Sequence, residues 1–95
     1  MKSNEITIKQ ALEAFVDAHG LKEKLWEAEL RQKWEAVAGV TIARYTRRFY
    51  VKNKKMYLET TAPVIRQEIE YSKTLLIENI NKEIGEGFIK DIILL

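Results

Sequence analysis

The spacing of apolar residues along this chain changes from helical to alternating and back, and each change marks an element boundary. Between Ile6 and His19, the residues Ile8, Leu12, Phe15, Val16 and His19 recur at helical spacing and predict one apolar stripe. Thr7 followed by Gln10 fits a capping box at the start of this helix, and Gly20 fits its stop. Leu21 to Ala38 repeats the period, with Trp26, Leu30, Trp34 and Val37 on one face. The pattern thins near Leu25, which would also suit two short helices. Glu27–Arg31 and Glu29–Lys33 stand at the favourable i,i+4 spacing, worth about 0.2–0.5 kcal/mol per pair. Gly39 ends the segment, and Val40 to Tyr45 suits one further helical turn.

The period then falls from 3.6 to 2. Arg48–Lys52 and Lys55–Glu59 alternate, with Asn53-Lys54 between them as a two-residue turn, or a longer one because Lys54 suits the required backbone less well than Gly. That register pairs Phe49 with Leu58 and Val51 with Met56 on the inner face. It sets Tyr50 opposite Tyr57, Lys52 opposite Lys55 and Arg48 opposite Glu59 on the outer face. Thr60 and Thr61 offer capping hydroxyls, and Pro63 suits a first helical turn. One helix is expected from there to about Ile84, buried along Ile65, Ile69, Leu76, Ile80 and Ile84. Glu70–Lys73 and Glu78–Lys82 decorate its wet side, and Gly85-Glu86-Gly87 stops it. Phe88 to Leu94 is then a third strand, parallel to the second because a helix joins the two. The expectation is an α+β domain of order α-α-β-β-α-β, a three-stranded sheet with its helices on one face.

Composition narrows the picture. At 95 residues, 46% hydrophobic and 32% charged, the chain reads as one globular domain over 1–95, without a separate tail. No apolar run approaches the ~20 residues of a membrane span, and "MKSNEITIKQ" lacks the core of a signal peptide. There is no cysteine, and the expected location is cytoplasmic. His19 is the only histidine, so no zinc ligand set can be assembled, and it suits a capping or core role at a helix end. No Gly-rich phosphate loop is present, and the acids are spread along helix surfaces as solvated faces. No catalytic residue, metal, cofactor or small-molecule substrate is therefore expected. Trp26 and Trp34 read as core, Asn79 and Asn81 as polar caps.

Charge is where the pattern becomes specific. The net charge is only +2, yet "RYTRRFYVKNKK" from Arg44 to Lys55 holds six basic residues and no acid. The remainder of the chain holds ten basic and fourteen acidic residues. Arg44, Arg47, Arg48, Lys52, Lys54 and Lys55 can neutralise phosphates and release counterions. Tyr50 and Tyr57 on the open face offer stacking to unpaired bases, and no helix is basic enough to read a duplex groove. Single-stranded or junction DNA, bound with little sequence preference, is the reading, with RNA open. The competing reading is a protein-interaction or dimerisation module on the same face, its lysines steering an acidic partner.

Trp34-Glu35-Ala36-Val37-Ala38-Gly39, then Ile42-Ala43 and Thr46, resembles the W-x-x-V-x-G-x-x-I-A-x-x-T signature of the DciA-like family. The second half is similar too: a strand, an LRQEL-like Ile65–Ile69, then Asn81, Gly85 and Ile89 in an N-x-x-x-G-x-x-x-I ending. The resemblance covers about Trp34 to Ile92. It implies a KH-like fold, a bacterial source, a role with nucleic acid, and loading or operation of the replicative helicase as partner. Tyr45 stands where the family often has His, and the G-x-x-G phosphate clamp of RNA-binding KH modules is absent.

Overall fold

The computed structural model describes residues 7–95. Ile6, which the apolar pattern assigns to the first helix, lies outside them. Thr7 caps α1 (Ile8–Ala18): its hydroxyl accepts from the Gln10 N–H, and the Gln10 side chain accepts from the Thr7 N–H, each at 3.0 Å. A single α2 (Lys22–Ala38) follows, not two short helices. Gly39 ends it at φ 92°, a backbone conformation that glycine adopts without strain. The extra turn is α3 (Val40–Arg44).

The hairpin β1 (Thr46–Lys52) and β2 (Lys55–Thr60) has the expected register, with Phe49–Leu58, Tyr50–Tyr57, Val51–Met56 and Lys52–Lys55 as partners. Asn53 and Lys54 both carry positive φ, 54° and 64°, as a type I′ turn requires. The register shifts between Thr46 and Arg48, which leaves Arg47 unpaired as a β-bulge.

Two expectations are corrected beyond the hairpin. The Thr60 and Thr61 hydroxyls do not cap the next helix. Both donate to the Tyr45 carbonyl, at 2.9 and 3.4 Å, and Ala62 is the cap residue instead. The helix from Pro63 is also not continuous. It breaks at Ser72 into α4 (Pro63–Tyr71) and α5 (Lys73–Glu83). Ser72 turns both its hydroxyl and its N–H onto the Glu68 carbonyl, the local competition that serine offers a helix.

The third strand, β3 (Asp91–Leu94), is shorter than expected but pairs parallel with β2, in the order β1-β2-β3. The helices cover one sheet face. Leu30, Trp34 and Val37 of α2 meet Phe49, Met56, Leu58 and Ile92 of the sheet and Ile65, Ile69, Leu76 and Ile80 of α4 and α5. Helix α1 departs from this scheme: of its stripe only Val16 is buried, while Ile8, Leu12 and Phe15 stay exposed. It lies against the start of α2, near Lys22, Leu25 and Trp26, ahead of the stripe that faces the sheet. No helix among the described residues is long and apolar enough to cross a membrane.

Candidate nucleic-acid interface

The face of the sheet away from the helices carries the residues singled out by charge. Arg48, Tyr50 and Lys52 of β1 stand opposite Glu59, Tyr57 and Lys55 of β2. The Tyr50 and Tyr57 rings stack with centroids 5.0 Å apart and planes 12° apart. Each ring therefore spends one face on the other, and Tyr50 remains 41% exposed. Lys52 and Lys55, like charges directly opposed, flank the turn, an arrangement that costs stability. Among the described residues neither they nor Lys54 or Arg44 makes an ion pair.

The arginines are divided. Arg44 is exposed in the last turn of α3. Arg47 sits at the bulge with its Nε 4.0 Å from Glu59, a loose contact. Arg48 is bound more closely: its Nε donates to Glu59 at 2.7 Å. Glu59, which the alternation placed opposite Arg48, thus offsets part of the charge at this end of the strand.

The geometry gives other residues roles that their spacing did not suggest. Glu23, Glu27 and Arg31 follow one another at i,i+4 along α2, and all three reach the backbone along the free edge of β1 and its turn. Glu27 accepts the Val51 N–H at 2.6 Å, Arg31 donates to the Phe49 carbonyl at 2.9 Å, and Glu23 accepts the Lys54 N–H at 2.9 Å. The Glu27–Arg31 pair itself is 3.9 Å apart, so its principal work is on the strand and not within the helix. These acids are not simply a solvated face. They satisfy a sheet edge that would otherwise offer open donors and acceptors to another chain. Equal spacing on one helix face was the available signal, but it does not name the strand it meets.

The motif residues build the frame under this surface. The Trp34 indole donates to the Thr46 hydroxyl at 2.9 Å, and that hydroxyl donates to the Ile42 carbonyl at 2.7 Å. Together with the Thr60 and Thr61 bonds to Tyr45, this pins the passage from α3 into β1, from which Arg44 and Arg47 project. Asn81 is more than a polar cap: its side chain accepts the Ile89 N–H and donates to the Ile89 carbonyl, both at 2.8 Å. Gly85 lies under the Trp26 ring, where an added Cβ would stand 2.5 Å from the indole. Trp26 packs edge-on against Phe88 and leaves Gly85 no room for a side chain. His19 caps α1, its Nδ1 2.9 Å from the Phe15 carbonyl and its ring stacked on Phe15. Among the described residues no three His, Cys, Asp or Glu side chains gather as a metal site would require.

An α+β domain of five helices over an open, mixed three-stranded sheet, with a basic aromatic outer face, is the class these observations define among the described residues. The family described as Dna[CI] antecedent, DciA, matches the chain over residues 7–94, and the chain belongs to that family. The family is linked to loading of the replicative helicase in DNA replication and is not a known enzyme family. No curated protein and no solved structure matches the chain.

Proposed function

We propose that this chain is a non-enzymatic, KH-like nucleic-acid-binding domain that takes single-stranded or junction DNA on the outer face of its hairpin, in the service of replicative-helicase loading. The observation that carries the reading is the stacked Tyr50–Tyr57 pair, flanked on one side by Lys52 and Lys55 without ion-pair partners, on a sheet face that no helix among the described residues covers. A surface that sets Lys52 against Lys55 is costly for the fold alone and becomes favourable when a phosphate lies between them. In this reading Arg44, Arg47, Lys52, Lys54 and Lys55 follow the phosphates, Arg48 contributes the donors that Glu59 leaves free, and the outer faces of Tyr50 and Tyr57 receive bases. Membership of a helicase-loading family supports the replication setting. The helicase itself is the partner that setting proposes.

The test is fluorescence anisotropy of labelled single-stranded and duplex DNA at several salt concentrations. Affinity for the single strand should exceed that for the duplex and fall with salt, at a slope of up to about −4 in log K against log salt if all six cations engage. Tyr50→Ala with Tyr57→Ala should cost ~1–3 kcal/mol per stacked base and leave the slope unchanged. If the tyrosines instead form a protein contact, the same double variant changes oligomeric state in sedimentation and leaves DNA affinity alone. Absence of binding at low salt would refute the nucleic-acid reading.

A further inference from the structure

We infer that the β1 bulge carries a seat for one backbone phosphate, to which helix α2 contributes Arg31. This deepens the nucleic-acid reading and rests on it; the site adjoins the tyrosine face, shares Arg47 and Arg48 with it, and adds Arg31. A hollow of about 340 Å³ opens at the edge of β1, with Arg31, Arg47 and Arg48 among its lining residues and no carboxylate among them. Trp34 and Phe49 line it too, packed ring against ring with centroids 5.2 Å apart. Both are buried and give the hollow an apolar floor, while the Arg31, Arg47 and Arg48 side chains stay more than half exposed and open to an anion.

Each guanidinium has donors to spare. Arg31 donates from Nη2 to the Phe49 carbonyl and lies over the Phe49 ring, with Cζ 5.1 Å from its centroid. These two contacts fix the plane of its fork and leave Nε and Nη1 without a partner among the described residues. Arg48 spends Nε on Glu59 and keeps both terminal nitrogens. The Arg47 side chain makes no hydrogen bond among the described residues and stands 4.0 Å from Glu59. Because Arg47 is the extra residue of the bulge, it departs from strict alternation and lines the same hollow as Arg48, its neighbour in sequence. Glu27 and Glu59, at 3.9 and 2.7 Å from Arg31 and Arg48, offset part of this charge, which suits one singly charged phosphodiester better than a multiply charged anion. A strand leaving the tyrosine face past Arg48 would cross the edge of the sheet here, and Arg31 would extend the phosphate track onto α2. A planar fork that can bind two oxygens favours arginine over lysine at such a point.

The test pairs two measurements on the full chain. Single-stranded DNA affinity is measured for Arg31→Gln, Arg47→Gln and the double variant, with circular dichroism melts to confirm folding. Each single change should weaken binding about tenfold at fixed salt, the loss of one charge-assisted hydrogen bond. The double variant should fall short of the product of the two, because both serve one phosphate, and should lower the salt slope by about 0.7. Arg31→Lys keeps a charge and a donor for the Phe49 carbonyl, so a loss of affinity there at unchanged slope reports the lost fork even if Arg31→Gln unfolds. Separately, inorganic phosphate is titrated while the arginine Nε–Hε resonances are followed, and saturating shifts at Arg31, Arg47 and Arg48 are expected. Such shifts without any DNA binding would keep the seat and refute the nucleic-acid reading. DNA binding that Arg31→Gln and Arg31→Lys leave intact, with no phosphate shift at Arg31, would overturn the seat and spare that reading. Neither DNA binding nor phosphate shifts would overturn both.

Discussion

Lys54 occupies a backbone conformation, φ 64°, that a side chain with a Cβ adopts at some cost. Asn53 beside it tolerates that region; lysine has no such local compensation. Glu23, which accepts its N–H at 2.9 Å, and Lys90, whose N–H meets its carbonyl at 2.7 Å, hold the backbone there, and the proposed function gives the ammonium group to the phosphate track. Lys54→Gly should therefore stabilise the hairpin by about 1 kcal/mol, raising Tm by about 4–8 °C, while lowering the salt slope of single-strand binding by about 0.7. Calorimetry and anisotropy on the same variant check both parts, and a gain in stability with no loss of slope would remove Lys54 from the phosphate track. Asn81, Gly85 and Thr46 sit at the opposite pole. They were recognisable as motif positions in the sequence, yet their chemistry is structural: a two-bond clamp on Ile89, a gap for the Trp26 ring, and an acceptor for the Trp34 indole. Spacing identified these residues, but only their contacts show that they hold the frame and not a ligand.

At the scale of elements, α2 does two jobs with two faces. One face buries Leu30, Trp34 and Val37; the adjacent one sets Glu23, Glu27 and Arg31 along β1. That second face is what allows β1 to be an edge strand with a hydrophobic inner side and still avoid pairing with another sheet. Glu27→Ala leaves the Val51 N–H without its acceptor. It should cost ~1–3 kcal/mol and speed amide exchange at Val51, whereas Glu27→Gln, which keeps an acceptor, should recover most of both. Hydrogen exchange read by NMR decides it; an unchanged Val51 rate in Glu27→Ala would show that the edge is protected by other means. At the far edge, Arg66 donates to the Leu94 carbonyl at 3.5 Å and Asp91 accepts the Ile92 N–H at 2.8 Å. The ends of β3 are blunted in the same manner. A strand added to either edge must first displace these side chains, which disfavours pairing with another sheet.

For the whole molecule, the helices are unequal partners of the core. Helices α2, α4 and α5 bury their stripes against the sheet, whereas α1 buries only Val16 and leaves Leu12 56% exposed. The hydrophobic stripe of α1 was legible, but its burial was not. Leu12→Ser should accordingly change stability by no more than about 0.5 kcal/mol, measured by denaturant unfolding. A larger loss would mean that Leu12 is covered in solution. What the sequence determined by itself was local: the capping box at Thr7, the hairpin register from Arg48 to Glu59, the turn at Asn53-Lys54, and the parallel third strand. Each follows from a period of 2 or 3.6, from backbone preferences of neighbouring residues, or from the rule that a helical crossover joins parallel strands. The tertiary structure alone decided that Glu27 meets Val51 twenty-four residues away, that Glu23 meets Lys54 thirty-one away, and that Arg31 joins Arg47 and Arg48 around one hollow. It also decided the break at Ser72 and the exposure of α1. Those outcomes depend on which surfaces pack side by side, and side-chain spacing within one element carries no record of the element it will face.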